Sequence, residues 1–414
     1  MKIAIVHDYI KEYGGAERVL EALTEIFPQA PIYTAFVDEN STAYAHFKNK
    51  KIIPSWVQNI PFFKTKLHSP LRFLAPFIWE SFDLSGYDVI ISSASWYITK
   101  GFRKRFDKSH FIQHLSKQHS LLSRLSRFFL GGFNFSQEKG AGFIEICYCH
   151  TPPRWLYGYT ASVNFQKYAL VRAYASIVGH FMRLYDFKAA QKVNYFIANS
   201  QEVAGRIKKL YRRDSTVIYP PVSLPLLRQG FGGQAKFEKD YYLIVSRIVG
   251  AKGLGMAIDA SLKAGFKLKI AGSRSGYYSL SENNNKNIDP DSIGVEFLGQ
   301  VTDLELAKLY GGAKAFLALS KDEDFGITPV ESMLMGTPVI AFNGGGYKET
   351  VLQGETGILF DDYSVSGLVE AIKQFEKMKL KSEDCIKQAE KFSKERFKKE
   401  IKKFIEEKLH ESGN

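Results

Sequence analysis

The chain has 414 residues, 45% of them hydrophobic, enough for two domains with full cores and outside the range of disordered or collagen-like chains. Three cysteines cannot form a disulfide framework, and no apolar run reaches the length of a membrane span. The formal charge of +13 invites a polyanion, yet no zinc-finger or RNA-binding signature accompanies it, so nucleic acid is not expected as a partner.

KIAIVHD reads as a first strand, its apolar run broken by His7 and Asp8; a signal peptide would run longer, so the expected location is the cytoplasm. A helix follows from about Ala16. YDVIISS, FIEICYCH and VNYFIANS are expected as strands, and another helix follows Ser200. After VIYPPVS, with its stiff Pro220 and Pro221, comes LPLLRQGFGGQAKFEKD, read as a Gly-rich linker. Gly230, Gly232 and Gly233 do not stand between a strand and a helix, so they are not read as a phosphate loop. The second half repeats the scheme: strand YYLIVSR, helix LGMAIDASLKAG, strands KLKIAGS and VEFLGQV, helix DLELAKLYGG, strand AKAFLALS, a helix from near Thr328, and strand TPVIAF. Such alternation predicts parallel α/β layers, and two halves of it predict two Rossmann-like domains with ligand at the carboxyl ends of the strands. The expected division is a domain over 1–222 with an insertion near 113–142, a linker over 223–240, a domain over 241–391, and an amphipathic helix over 392–414. That helix carries Phe392, Phe397, Ile401, Phe404, Ile405 and Leu409 on its apolar side and is expected to pack on the body of the protein. A second polar insertion is read around residues 273–291.

Residues 320–331 (SKDEDFGITPVE) hold the densest chemistry. A strand ends at Ser320, and a loop carries Glu323. Thr328 as N-cap, Pro329 as first helical residue and Glu331 as the third would make a capping box. The same helix start offers free N–H groups to a phosphate, and Glu331 beside it can accept bonds from sugar hydroxyls. Both readings of Glu331 stand at this point. Asp322, Glu323 and Asp324 are the ligands a hard cation takes, but neighbours in a tight loop rarely converge on one ion, so no metal site is expected. Cys147, Cys149 and His150 lack a second ligand pair for zinc. His150 reads either as a strand-end histidine or as a ligand-facing one, and Asp303 as a helix N-cap.

Glu323 and Glu331, separated by seven residues around Phe325 and Gly326, resemble the paired glutamates of the family-4 retaining glycosyltransferases. The resemblance continues through SMLMGTPVIAFNGGGYKETVLQGETGILF and is shared by SRIVGAKG and HDYIKEYGGAERVLE. WESFDLSGYDVIISSAS, CYCHTPPRWLYGY, FIANS and VIYPPV are similar to a mannosyltransferase subset of that family. The similarity covers most of the chain outside the insertions. It implies the α/β GT-B fold, two Rossmann-like domains facing each other across a cleft, with the acceptor on the first and the sugar nucleotide on the second. It assigns Arg247 and Lys252 to the leaving diphosphate, Glu323 to the hexose and Glu331 to the ribose. Gly14, Gly15 and the backbone of Phe325, Gly326 and Ile327 would contact the donor, with His150 beside the hexose. A carboxylate at Asp303 would meet the base edge, which points to GDP-mannose. No metal or other cofactor is implied, since two fixed cations can neutralise a departing diphosphate. The implied acceptor is a hydroxyl of a glycan or lipid-linked glycan in cell-surface polysaccharide synthesis, although the long insertion before Cys149 departs from the family near the acceptor. A UDP-sugar transferase and a sugar-nucleotide epimerase on the same fold are the rivals. A nicotinamide oxidoreductase is disfavoured because the first strand lacks G-x-G-x-x-G spacing.

The charge is uneven. Lys100, Arg103, Lys104, Arg105, Lys108, Lys117, Arg124 and Arg127 face one acid, Asp107. Upstream, Trp56, Phe62, Phe63, Leu67, Leu71, Phe73, Leu74, Phe77, Ile78 and Trp79 crowd a segment with Lys64, Lys66 and Arg72, broken by Pro54, Pro61, Pro70 and Pro76. One reading is peripheral contact with anionic lipid at the inner face of the cytoplasmic membrane. The other is a solvated basic face over aromatics that fill the first core.

Overall fold

The structure, a computed structural model, describes residues 1–102, 142–159, 169–224, 239–246, 252–272 and 294–411. Most of the expected insertion near 113–142, the insertion around 273–291, most of the linker and Arg247 lie outside the described residues.

The first sheet has seven parallel strands: β1 (Ile3–His7), β2 (Ile32–Thr34), β3 (Ile52–Pro54), β4 (Val89–Ala94), β5 (Ile144–Cys149), β6 (Tyr195–Ala198) and β7 (Thr216–Val217), in the order β3-β2-β1-β4-β5-β6-β7. The second has six: β8 (Tyr241–Val245), β9 (Lys267–Ala271), β10 (Val295–Gly299), β11 (Ala313–Ala318), β12 (Val339–Phe342) and β13 (Gly357–Phe360), in the order β10-β9-β8-β11-β12-β13. These are the two Rossmann-like halves of a GT-B fold. Both faces of each sheet are covered, which is why the central strands read as unbroken apolar runs: Ala4, Ile5 and Val6 of β1 are wholly buried. β2, β3 and β7 escape the sequence because two or three residues show no periodicity. Pro54 ends β3 on the sheet edge, where its missing N–H removes no ladder bond.

Two crossings join the sheets. The Val222 N–H donates to the Phe392 carbonyl at 2.9 Å, and Arg396 donates to the Tyr219 carbonyl at 2.8 Å. The last helix, Lys394–Glu411, then lays Phe397, Ile401, Phe404 and Ile405 against Ile5, Val19, Leu20 and Leu23 of the first domain. Phe392 is not on that helix; it precedes it and packs in the second domain's core.

The aromatic segment mostly fills the first core. Phe63, Leu74, Ile78 and Trp79 are buried, and Leu67, Leu71, Phe73 and Phe77 pack against them. Phe62 (71% exposed) and Trp56 (39%) remain outside. Lys100, counted above with the basic face, is buried instead in an ion pair with Asp186, whose other oxygen accepts from Tyr157 and Tyr211. Among the described residues no helix is long and apolar enough to cross a membrane.

Candidate active site

The carboxyl ends of β1, β4 and β5 meet in one buried hydrogen-bonded chain. Ser93 Oγ lies 2.9 Å from His7 Nδ1 and 2.8 Å from His150 Nε2. His7 Nε2 lies 3.5 Å from Glu17 Oε1, and the other Glu17 oxygen accepts the Gly14 N–H at 3.0 Å. Parallel pairing of β4 with its neighbours sets this: His7 sits opposite Ser93 in the ladder, and His150 follows the last residue of β5. Burial, then the neighbouring His7, pulls the His150 pKa down to about 3, so the ring is neutral at physiological pH. The structure shows this histidine as a buried strand-end residue hydrogen-bonded to Ser93.

The Gly15–Ile26 helix begins at this mouth. A Cβ on Gly15 would come 2.9 Å from Ile327 Cδ1 of the other domain, so a larger residue there would have to push the end of that side chain aside.

The helix expected near Thr328 starts earlier, as Ile327–Leu334, with Gly326 at φ +88 as its N-cap and no side-chain cap. The left-handed turn at Gly326 replaces the expected Thr328 cap, and Glu331 is no capping-box partner. Its carboxylate is 2% exposed, 2.6 Å from Arg18 Nη1 of the first domain, and accepts from the Tyr310 hydroxyl at 2.9 Å. Asp303 is likewise not an N-cap. Thr302 holds that place, its Oγ1 accepting the Glu305 N–H, which leaves Asp303 exposed in the first turn of the Asp303–Gly312 helix. Its charge acts on Arg18 and Tyr13, so it stands on the same rim as they do.

The loop at residues 322–324 sends its acids to different partners. Glu323 accepts from Lys252 at 2.7 Å and from the Tyr347 hydroxyl at 3.3 Å. Burial works to raise the Glu323 pKa, but Lys252, Arg154 and Tyr347 outweigh it and hold the value at about 2. Asp324 pairs with Arg154 at 2.7 Å and Arg206 at 2.6 Å, both from the first domain, and its carbonyl accepts from Ser200. Glu349 takes the backbone N–H groups of Gln201 and Glu202 at 2.7 and 2.9 Å, capping a first-domain helix from across the cleft. Among the described residues, no three His, Cys, Asp or Glu side chains gather as a cation site.

Of the sequence-predicted residues, Gly14, Gly15, His150, Lys252, Glu323, Gly326, Ile327 and Glu331 lie along this cleft. The Phe325 ring turns into the core against Tyr219 and Phe392. The sequence reading missed Arg18, Arg154, Arg206, Ser93 and Glu349, whose partners across the cleft or the sheet are more than fifty residues away and leave no local signal. Chemically, the cleft offers a cation, a helix start and two glutamates. That set suits an anionic leaving group attached to a polyhydroxyl ring.

The His150 environment has a pH consequence. A histidine whose folded pKa lies below its unfolded value adds stability above about pH 6.5 and loses it as pH falls toward 3. Glu145, pushed up to about 7 by burial, acts oppositely between pH 4.5 and 7, so the wild-type curve alone is uninformative. Stability relative to His150→Gln should fall as pH drops from 7 to 5, with a slope of up to about 1.4 kcal/mol per pH unit. Denaturant titrations of both proteins across that range check it; parallel curves would remove the burial account.

Residues 230–392 match the family of glycosyl transferases group 1. A glycogen synthase of Thermodesulfovibrio yellowstonii is 31% identical over 148 residues, 35% of this chain and 29% of that protein. The alpha-1,3/1,6-mannosyltransferase alg-2 of Neurospora crassa is 38% identical over 108 residues, 26% of this chain and 21% of that protein. The chain thus spans less than half the length of either relative. The crystal structure of Anabaena HepE in complex with UDP and glucose has the same fold, with a TM-score of 0.64 at 18% identity over 98% of this chain and 100% of that one.

Proposed function

We propose that this chain is a retaining hexosyltransferase that takes its sugar from a nucleotide donor held by the second domain. The observation that carries the reading is the pairing of Lys252 with Glu323 beside the Glu331 helix start, within the stretch that matches the group 1 transferases. Lys252 and Arg247 balance the diphosphate as it departs, Glu323 orients the hexose, and Glu331 takes ribose hydroxyls. Gly15 and the Phe325, Gly326 and Ile327 backbone complete the donor contacts, and the neutral His150 faces the hexose. The bond from the anomeric carbon to the diphosphate breaks, and the acceptor hydroxyl bonds to that carbon on the same face. Its proton passes to the departing diphosphate. Excluding water from the closed cleft protects the donor from hydrolysis.

The donor proposed is GDP-mannose, on the exposed Asp303 carboxylate at the rim and the alg-2 likeness. A UDP-sugar is the second reading, favoured by HepE, which holds UDP and glucose on the same fold. The acceptor proposed is a glycan or lipid-linked hydroxyl in cell-surface polysaccharide synthesis. The protein would work in the cytoplasm against the membrane, through a surface on which Phe62, Trp56 and Lys66 are exposed. The relatives reported above are a synthase and a transferase, so the epimerase alternative gains no support.

Incubation with a panel of sugar nucleotides tests the reading through slow release of nucleoside diphosphate. Release from one donor is expected; no binding or release with any donor would overturn it. A chelator should leave that release largely intact, because fixed cations and a helix start meet the diphosphate. Loss on chelation, restored by Mg²⁺ or Mn²⁺, would mean that the site needs a metal after all.

A further inference from the structure

Arg72 is the first domain's unexplained cation. Its guanidinium lies over the rings of Trp96 (5.3 Å) and Trp155 (4.8 Å). Nε donates to the Ser69 carbonyl at 2.8 Å and Nη2 to the Ser69 hydroxyl at 2.7 Å. Nη1 is buried and has no hydrogen-bond partner, and Nδ1 of neighbouring His68 is in the same condition. Among the described residues no carboxylate pairs with Arg72; apart from burial, the groups that act on its charge are Tyr97, Tyr9 and Tyr174. His68 lies near two cations, Lys11 and Arg72, and burial with their charges keeps it neutral, at a pKa of about 4.

A desolvated cation without an anion is costly, so structures that keep one usually supply the anion from elsewhere. The place is informative. Tyr9 follows β1, Trp96 follows β4 and Trp155 follows β5, so the cage sits at the carboxyl ends of the central strands, where ligands of such sheets bind. Trp155 also adjoins Arg154, which grips the loop carrying Glu323.

We propose that this cage is the acceptor's seat and that it takes a phosphate-bearing group, with Arg72 as the counter-charge and Lys11 supporting it. The inference rests on the transferase reading and adds the chemistry of the acceptor. A guanidinium matches phosphate geometry through paired donors, and the two nearby indoles add cation–π attraction to it. The phosphate can belong to a soluble sugar phosphate or to a lipid headgroup.

The test uses the intact chain and its tryptophan fluorescence. Inorganic phosphate and glucose 1-phosphate should give a saturable change that methyl glucoside does not. Arg72→Gln should weaken the response by roughly tenfold or more, the scale of one charge-assisted bond, and Arg72→Lys should restore part of it. The thermal midpoint of Arg72→Gln should hold or rise, since it loses an uncompensated charge. Co-sedimentation with phosphatidylglycerol but not phosphatidylcholine vesicles, abolished by Arg72→Gln, would identify a lipid source; a response confined to the free phosphates would identify a soluble one. No saturable response to any anion, a response unchanged in Arg72→Gln, or a variant that fails to fold would each overturn the inference and make the cage a structural stack. Nucleotide binding measured in parallel separates the two readings: its loss speaks against the transferase, and its persistence without anion binding speaks against the seat alone.

Discussion

Lys252→Ala is expected to lower turnover by roughly 10²–10³, the scale of losing one preorganised electrostatic donor. The residue stands just before Gly253, which at φ +71 caps the Leu254–Ala264 helix, so its backbone is fixed before any donor arrives. Its ammonium is 2.7 Å from Glu323, which holds it at the cleft without side-chain ordering at the moment of reaction. The variant loses both the charge for the diphosphate and the main restraint on Glu323, which keeps only Arg154 nearby and the Tyr347 hydroxyl. If the charge is what matters, the loss falls on kcat, and Lys252→Arg recovers part of it. If the restraint matters, Glu323→Gln reproduces the Lys252→Ala defect and the double variant is no worse than either. Normal turnover by Lys252→Ala would withdraw the diphosphate assignment. Arg247→Ala is expected to behave similarly, on the resemblance alone.

The central strands and the repeat of the βα pattern were legible because parallel strands covered on both faces must be continuously apolar. The two glutamates were legible because their spacing belongs to one loop and one helix start. Their partners were not. Arg18 meets Glu331, and Arg154 and Arg206 meet Asp324, only because two separately folded sheets close on each other. No local period encodes such a meeting. The capping errors at Thr328 and Asp303 share one cause: several residues in a row were chemically able to cap, and backbone geometry decided. Gly326 took a left-handed turn two residues early, and Thr302 reached Glu305 one residue before Asp303. Lys100 shows the same limit in charge reading, since nothing local reveals that a lysine opening a basic run is buried against Asp186.

Arg18→Ala is expected to have the largest effect on the arrangement of the two domains. Glu331 is 2% exposed, and without Arg18 its carboxylate keeps only the Tyr310 hydroxyl. Removing one partner of a buried pair costs about 3–5 kcal/mol when the structure cannot relax. Here it can, because the pair spans the cleft: opening the domains hydrates Glu331 and caps the penalty below that range. The released energy therefore appears as a more open protein, with a larger radius of gyration in solution scattering and only a modest drop in thermal midpoint. Donor affinity should fall as well, since the Arg18 charge and the Tyr310 hydroxyl together fix the carboxylate's position. Glu331→Gln is not conservative at this site. It removes the charge that faces Arg18 at 2.6 Å, so it should open the cleft nearly as much, whereas a capping residue would have tolerated the change. The two substitutions share one interaction, so the double variant should be less open than the sum of the singles, with a coupling of about 0.5–3 kcal/mol. Scattering and donor titration on the four proteins of this cycle decide the matter. Strict additivity, with the cleft as closed in Arg18→Ala as in wild type, would mean that Arg206, Arg154 and Glu349 hold the domains together without the Arg18 pair.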